Sequence, residues 1–268
     1  MGDVADGASV AAENAAAQRI LSQLYGEKML VDAAAQTFCT GTTVKRFLRA
    51  HRGVEEDAKA ALIQTLLWRA NNRPHRRVCA ACAKDPRAHP LRPVGLCKLG
   101  RPVVYGSLLG SSLPEGSVMA DIDDHIIHLL EWIFSLAGTG AGAVWIVDLH
   151  GFCASTVDPL AVQSSILLLT RHYPEVLGAL CIVDSPLIFL GTWKALKTQI
   201  PPVSLNKVSL VRYRDADAKF QELLPQPVAD RVRVEMEDAR NPEIMAVKQW
   251  WDTPPEPPVR SPGRTIQS

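Results

Sequence analysis

The chain has 268 residues, with 29 Lys and Arg against 28 Asp and Glu, for a formal net charge of +1. Its 47% hydrophobic and 21% charged residues are the mix of an ordinary globular protein, and near-neutrality without a basic block argues against nucleic acid as a main partner. No stretch reaches the roughly 18 uncharged apolar residues of a spanning helix; the closest, Ile126–Ala137, contains His128 and Glu131. The opening MGDVADG is acidic, unlike a secretory signal. Asp6 stands where a myristoylation motif wants Ser or Thr, and the final TIQS has no prenylatable Cys. A soluble, cytoplasmic, mixed α/β protein is expected. Its six cysteines then read as thiols or metal ligands rather than disulfides.

In chain order, residues 1–30 are Ala-rich and polar, with a helix over Ala11–Tyr25 and a disordered Met1–Ser9 expected. Thr40, Thr42 or Thr43 can cap a short basic helix, Val44–Arg52, that Gly53 terminates. Glu55–Asn72 follows as a longer helix, its Ala58, Leu62, Leu66 and Ala70 on one face, and Arg73-Pro74 ends it. Residues 75–98 are Pro-rich without a sustained period and read as a loop or small subdomain. From residue 100 strands alternate with helices: strand Pro102–Tyr105, helix Asp121–Leu136, strand Ala143–Leu149, helix Val157–His172, strand Leu180–Val183, helix Leu187–Thr198, strand Lys207–Val211. Short strands separated by helices imply a largely parallel sheet. Ala216–Trp251 reads as two helices packed back on the core, and Pro254–Ser268 as disordered.

Several motifs invite chemistry. Gly138–Gly142 is Gly-rich, but it follows a helix and precedes a strand, the reverse of a phosphate loop, and reads as a helix cap and connector. Asp148, His150 and Ser155 contain the residue types of a hydrolase triad without its Gly-x-Ser-x-Gly elbow, so a structural role is favoured and no enzyme is expected. His125 and His128 lack the spacing of a helical zinc-protease motif. Cys79-Ala80-Ala81-Cys82, with His89 and Cys97 following, could supply a structural zinc site in a segment poor in apolar residues; redox use is disfavoured, since the pair does not open a helix after a strand. In Leu187–Thr198, Leu187, Ile188, Phe189, Leu190, Trp193 and Leu196 spread around most of the helix circumference. Such a helix is either deeply buried or faces something apolar that is not protein.

The chain resembles the CRAL-TRIO family of lipid-binding and lipid-transfer proteins over roughly residues 35–215. The residues that carry the resemblance are Phe47-Leu48-Arg49-Ala50 with Glu55–Trp68-Arg69, the strand Gly100–Tyr105, Val147-Asp148-Leu149-His150-Gly151, and His172-Tyr173-Pro174-Glu175-Val176-Leu177-Gly178. Asp184-Ser185-Pro186-Leu187-Ile188-Phe189 and Lys207-Val208 complete it in order and spacing. The resemblance implies an α/β fold in which a helical lobe precedes a mixed, largely parallel sheet lining a hydrophobic pocket, closed by a gate helix at Leu187–Thr198. The corresponding division is an N-terminal extension (1–30), a helical lobe (31–75), a Cys/Pro-rich connector (76–99), a lipid-binding domain (100–215), C-terminal helices (216–253) and a tail (254–268).

The implied function is binding and intermembrane exchange of a lipid, most plausibly phosphatidylinositol, by a monomer that touches membranes transiently. Exposing one acyl chain to water costs on the order of 13 kcal/mol at ~0.8 per methylene, which an enclosing pocket removes. The resemblance assigns headgroup contacts to Glu175, Ser204 and Lys207, and to His51 and Arg52, where His51 stands in a usually basic position. Trp145, Leu187, Phe189, Leu190, Trp193 and Leu196 would form pocket and gate, with Trp193, Lys194 and Lys197 suited to an interface. Ala143 and Trp145 replace the hydroxyl residues that contact phosphatidylcholine in dual-specificity members, so that headgroup is not expected. Two rivals stand beside this reading: a protein-interaction module whose pocket is filled by side chains, and a carrier of a non-phospholipid ligand. No cofactor is required; the cysteine-rich connector is not part of the family pattern.

Overall fold

A computed structural model describes residues 3–84, 91–107, 119–137, 142–151, 159–187, 189–200 and 202–247. The expectations for His89, Ser155, Ile188, Gly138–Ala141, the first two residues and the 254–268 tail lie outside these.

The N-terminal lobe consists of α1 (Asp3–Gly26), α2 (Ala33–Phe38), α3 (Gly41–Ala50) and α4 (Glu55–Asn72). Thr40 caps α3, its hydroxyl accepting the Thr43 N–H. The chain leaves α3 through Gly53 at φ +80°, and α4 through Arg73 in the left-handed region. Helix α1 starts well before Ala11, and its first turns correct the expectation of disorder up to Ser9. It is also more than an extension: Ala16, Ala17, Ile20 and Leu24 are buried with Val44, Phe47 and Leu48 of α3 and Ala58, Leu62 and Leu66 of α4. Alanine composition hid this, because the small side chains that look like a low-complexity run are what let the helices approach closely.

The connector opens with a 3-10 turn, Pro74–Arg76, and a short helix, α5 (Ala80–Lys84). It then forms a strand that the sequence reading treated as irregular, β1 (Leu91–Leu96). Pro93 and Gly95 disguise it: the register shifts between them, and Pro is tolerated because β1 is an edge strand. β1 pairs antiparallel with β2 (Pro102–Ser107). Then follow α6 (Met119–Ala137), β3 (Ala143–Asp148), α7 (Pro159–His172), β4 (Leu177–Val183), α8 (Phe189–Leu196), a one-turn α9 (Pro202–Leu205) and β5 (Val208–Val211). β2 to β5 are parallel neighbours in the order β1-β2-β3-β4-β5. Three C-terminal helices rather than two close the described chain: α10 (Ala216–Leu223), α11 (Gln226–Ala239) and α12 (Pro242–Val247).

Strand alternation sorts the sheet into two faces. Val103, Tyr105, Val144, Ile146, Cys181 and Val183 pack beneath Phe220, Leu224, Val232 and Met236 of α10 and α11. Val104 and Trp145 face the other way, into a cluster with Ile126, Leu129, Leu130 and Ile133 of α6 and with Tyr173. On that same face, Val147, Leu180, Ile182 and Val208 meet Phe189 and Trp193 of α8. This matches sequential parallel strands joined by crossovers of one hand, which place the connecting helices on one side.

The helical lobe is held to the sheet domain through α4. The Trp68 ring stacks on His172 with centroids 4.3 Å apart. Arg69 forms a bidentate pair with Glu131 at 2.7 and 2.8 Å, and the Tyr173 hydroxyl donates to the same carboxylate at 2.7 Å.

Candidate functional site

Two regions collect the chemistry-bearing residues. The first lies where α3 ends and β4 and β5 begin. Glu175 sits in the turn between α7 and β4 with φ +60°, a strained position for a non-glycine residue. The turn is fixed by close backbone approach. A Cβ on Gly142 would lie 2.6 Å from the carbonyl oxygens of both Glu175 and Val176, and one on Gly178 would lie 2.7 Å from the Gly142 carbonyl. Only glycine fits at either place, which gives a physical reason for the last residue of the Tyr-Pro-Glu-x-x-Gly pattern.

The Glu175 carboxylate accepts from Arg49 Nε at 2.7 Å, and Arg49 also reaches Glu13 of α1 at 3.0 Å. Lys207, one residue before β5, donates from Nζ to the Leu177 carbonyl at 2.8 Å. Its own N–H closes a turn on the Ser204 carbonyl at 3.1 Å. Glu175 and Lys207 therefore take separate partners among the described residues. His51 and Arg52 follow α3 directly, Arg52 with φ +56°. Arg49 is the residue that sequence reasoning did not single out. It stood inside the quoted Phe47-Leu48-Arg49-Ala50, yet its partner lies 126 positions away.

Arg46, one turn earlier in α3, is a second unanticipated cation. It is buried, stacks over Phe134 at 3.9 Å and donates to Thr43 Oγ1 at 3.1 Å, while its Nε has no hydrogen-bond partner among the described residues. Burial lowers its pKa to about 10, with the Glu175 charge opposing that shift. It remains a cation at neutral pH, so the turn carrying Glu175 lies in a field of two arginines.

The second region is the face of the sheet under α8. Phe189 and Trp193 of α8 stack with ring centroids 6.2 Å apart and turn toward Val147, Leu180, Ile182 and Val208. Val147 and Leu180 belong to the central strands β3 and β4, yet both remain only partly buried. Central-strand side chains beneath a helix are ordinarily sealed, so the packing there is incomplete. On the outer side, Leu187 is 86% and Leu190 46% exposed. The apolar circumference read from the sequence thus divides between sheet and solvent. The regular helix spans Phe189–Leu196, with Lys197–Gln199 as a 3-10 turn. Trp145, at 8% exposure, belongs to the α6 cluster and fills part of the same sheet face.

At the opposite, C-terminal ends of the strands, buried Asp148 and partly exposed Asp184 share Arg240 of α11, and His150 Nδ1 lies 3.0 Å from Asp184. These charges tie the C-terminal end of α11 to the sheet, the structural role favoured for Asp148 and His150.

The proposed metal ligands divide. Cys79 and Cys82 come together with His125 of α6, their ligand atoms all within 4.8 Å of one another. Cys97 is elsewhere: it lies in the layer between the sheet and α10–α11, where its Sγ accepts from the Arg101 N–H at 3.3 Å. The expected set is corrected accordingly. His125 has no local signature as a ligand, because it reaches the cysteines from a helix 43 positions beyond Cys82.

Among known proteins, residues 97–229 match the family model of the CRAL/TRIO domain. The fold is similar to that in the crystal structure of Sfh5, with a TM-score of 0.53 and 17% identity, over 68% of this chain and 67% of that one. No curated protein matches the chain. Among the described residues, no helix is long and apolar enough to cross a membrane.

Proposed function

We propose that this chain, which carries a CRAL/TRIO domain over residues 97–229, holds a phospholipid, phosphatidylinositol first, and exchanges it between membranes. The domain itself supports binding of a lipophilic molecule; the headgroup and the exchange are our reading. The observation that carries it is the half-buried apolar face of β3 and β4 beneath α8, a helix whose Leu190 is exposed to solvent, as is Leu187 just before it. A segment apolar on both sides suits a gate: its inner residues meet an acyl chain and its outer ones meet the bilayer when it opens.

Lys207 and the arginines near Glu175 suit a phosphodiester, and the carboxylate suits the sugar hydroxyls. No bond need be made or broken, so we expect no turnover. The protein-interaction rival draws on Trp145, whose indole occupies sheet surface that a ligand would otherwise use.

Native mass spectrometry after incubation with mixed-lipid vesicles tests the reading. A one-to-one phosphatidylinositol adduct in the wild type is expected, weakened about tenfold in Lys207→Ala, the loss of one charge-assisted contact. A different bound lipid with an indifferent mutant leaves a carrier but removes the headgroup site. No lipid in either protein gives precedence to the interaction module.

A further inference from the structure

We infer that Cys79, Cys82 and His125 bind a zinc ion that pins the connector between helical lobe and sheet to α6, with water completing the coordination. The inference does not depend on the lipid reading.

The two cysteines bracket the first turn of α5. The Cys82 N–H donates to Cys79 Sγ at 3.4 Å, which holds the two cysteines close across that turn. Facing them, His125 Nε2 lies 2.8 Å from the Leu91 carbonyl. A carbonyl only accepts, so Nε2 carries the proton and Nδ1 keeps its lone pair. That lone pair is directed at Cys82 Sγ, 3.4 Å away. A ligating histidine whose other nitrogen donates to a backbone carbonyl is the usual outer-shell device for fixing tautomer and ring plane.

The spacing fits the ion. With Zn–S near 2.3 Å and Zn–N near 2.05 Å, a tetrahedral site separates sulfur from nitrogen by about 3.6 Å and sulfur from sulfur by about 3.8 Å. The observed 3.4 Å and the common limit of 4.8 Å need only small adjustments. Two thiolates and one imidazole are soft and borderline ligands, which disfavours magnesium or calcium. They also neutralise the ion's two charges, so a site containing buried Cys79 holds no net charge.

The surroundings are built for docking. Arg77 pairs with Asp124 of α6, and His128, one turn beyond His125, has Nδ1 3.2 Å from the Arg77 carbonyl. Three contacts from one helix therefore hold the connector, and an ion at Cys79–Cys82–His125 would join its cysteine end covalently to α6.

Zinc is titrated into the reduced full chain against a chromophoric chelator, with cobalt(II) as the spectroscopic stand-in. One equivalent should bind, with a thiolate-to-cobalt charge-transfer band and a tetrahedral visible spectrum. His125→Gln and Cys82→Ser should each weaken zinc at least about a hundredfold, beyond the effect of an outer-shell change, while Cys97→Ser leaves it unchanged. Protection of Cys79 and Cys82 from alkylation by added zinc, mapped by mass spectrometry, needs no variant and so survives any misfolding. The inference is overturned if wild type binds no zinc, if His125→Gln binds as tightly as wild type, or if Cys97→Ser abolishes binding.

Discussion

Arg49 and Glu175 join the helical lobe to the sheet domain by a 2.7 Å hydrogen bond between residues 126 positions apart. The carboxylate it holds is the one that the family resemblance assigns to a headgroup, so under the proposed function lobe docking and headgroup recognition would share a contact.

Because both side chains are partly exposed, with 41% and 29% of their surfaces accessible, the pair is worth no more than about 1 kcal/mol to stability. Arg49→Ala should therefore leave the unfolding midpoint within a few degrees of wild type. Its effect on ligand should be larger: with the carboxylate released, phosphatidylinositol retention should fall roughly tenfold, and Glu175→Gln should fall with it. Equal occupancy in wild type and both variants, read from the same native mass spectra, would remove Glu175 from the headgroup site.

Much of the fold was legible in the residues. The limits of α4 follow from its period-four stripe and from Arg73-Pro74, and β3 from a continuous apolar run. What was not legible depends on tertiary placement. β1 contains Pro93 and Gly95, and only its edge position explains why a strand tolerates them. Cys97 looked like a ligand because it is close in sequence to Cys82, and His125 did not because it is distant. Arg49 was one basic residue in a basic helix until Glu175 was brought to it. Local pattern carries elements well, whereas ion pairs and ligand sets between elements have no periodic signature.

The contact between α4 and α7 is pH-sensitive through His172. Burial, with the charges of Arg171 and Arg69, lowers its pKa from 6.5 to about 4. The folded protein thus holds a neutral ring, stacked on Trp68 and 3.1 Å from the Thr65 hydroxyl. Below pH 6.5 the unfolded chain takes up this proton and the folded chain does not, so stability falls as pH drops from 6.5 toward 4. Allowing for the ring's partial exposure, the loss is on the order of 2 kcal/mol. Urea unfolding at pH 7 and pH 5 should show it in wild type. His172→Phe, which keeps the stack without a titrating nitrogen, should flatten that part of the profile; an unchanged pH dependence in this variant would assign the loss to other groups.

Membrane engagement can be separated from ligand binding at the start of α8. Leu187 and Leu190 are exposed in the free protein, whereas Phe189 is buried beneath the helix. Transferring two such side chains into a bilayer gains about 3 kcal/mol even at the low end of the range for leucine, so Leu187→Asp with Leu190→Asp should reduce vesicle association about a hundredfold. The folded core should be indifferent, because neither side chain contributes to it. Val234→Asp is the matched control, since Val234 is 51% exposed on α11, which covers the opposite face of the sheet. Vesicle flotation together with the rate of lipid exchange distinguishes the readings. Loss of both in the double variant, with lipid still bound in native mass spectra, is the result a gate predicts. Unchanged flotation would mean that the solvent-facing leucines at and just before the start of α8 do not contact the bilayer, and another surface would have to meet the membrane.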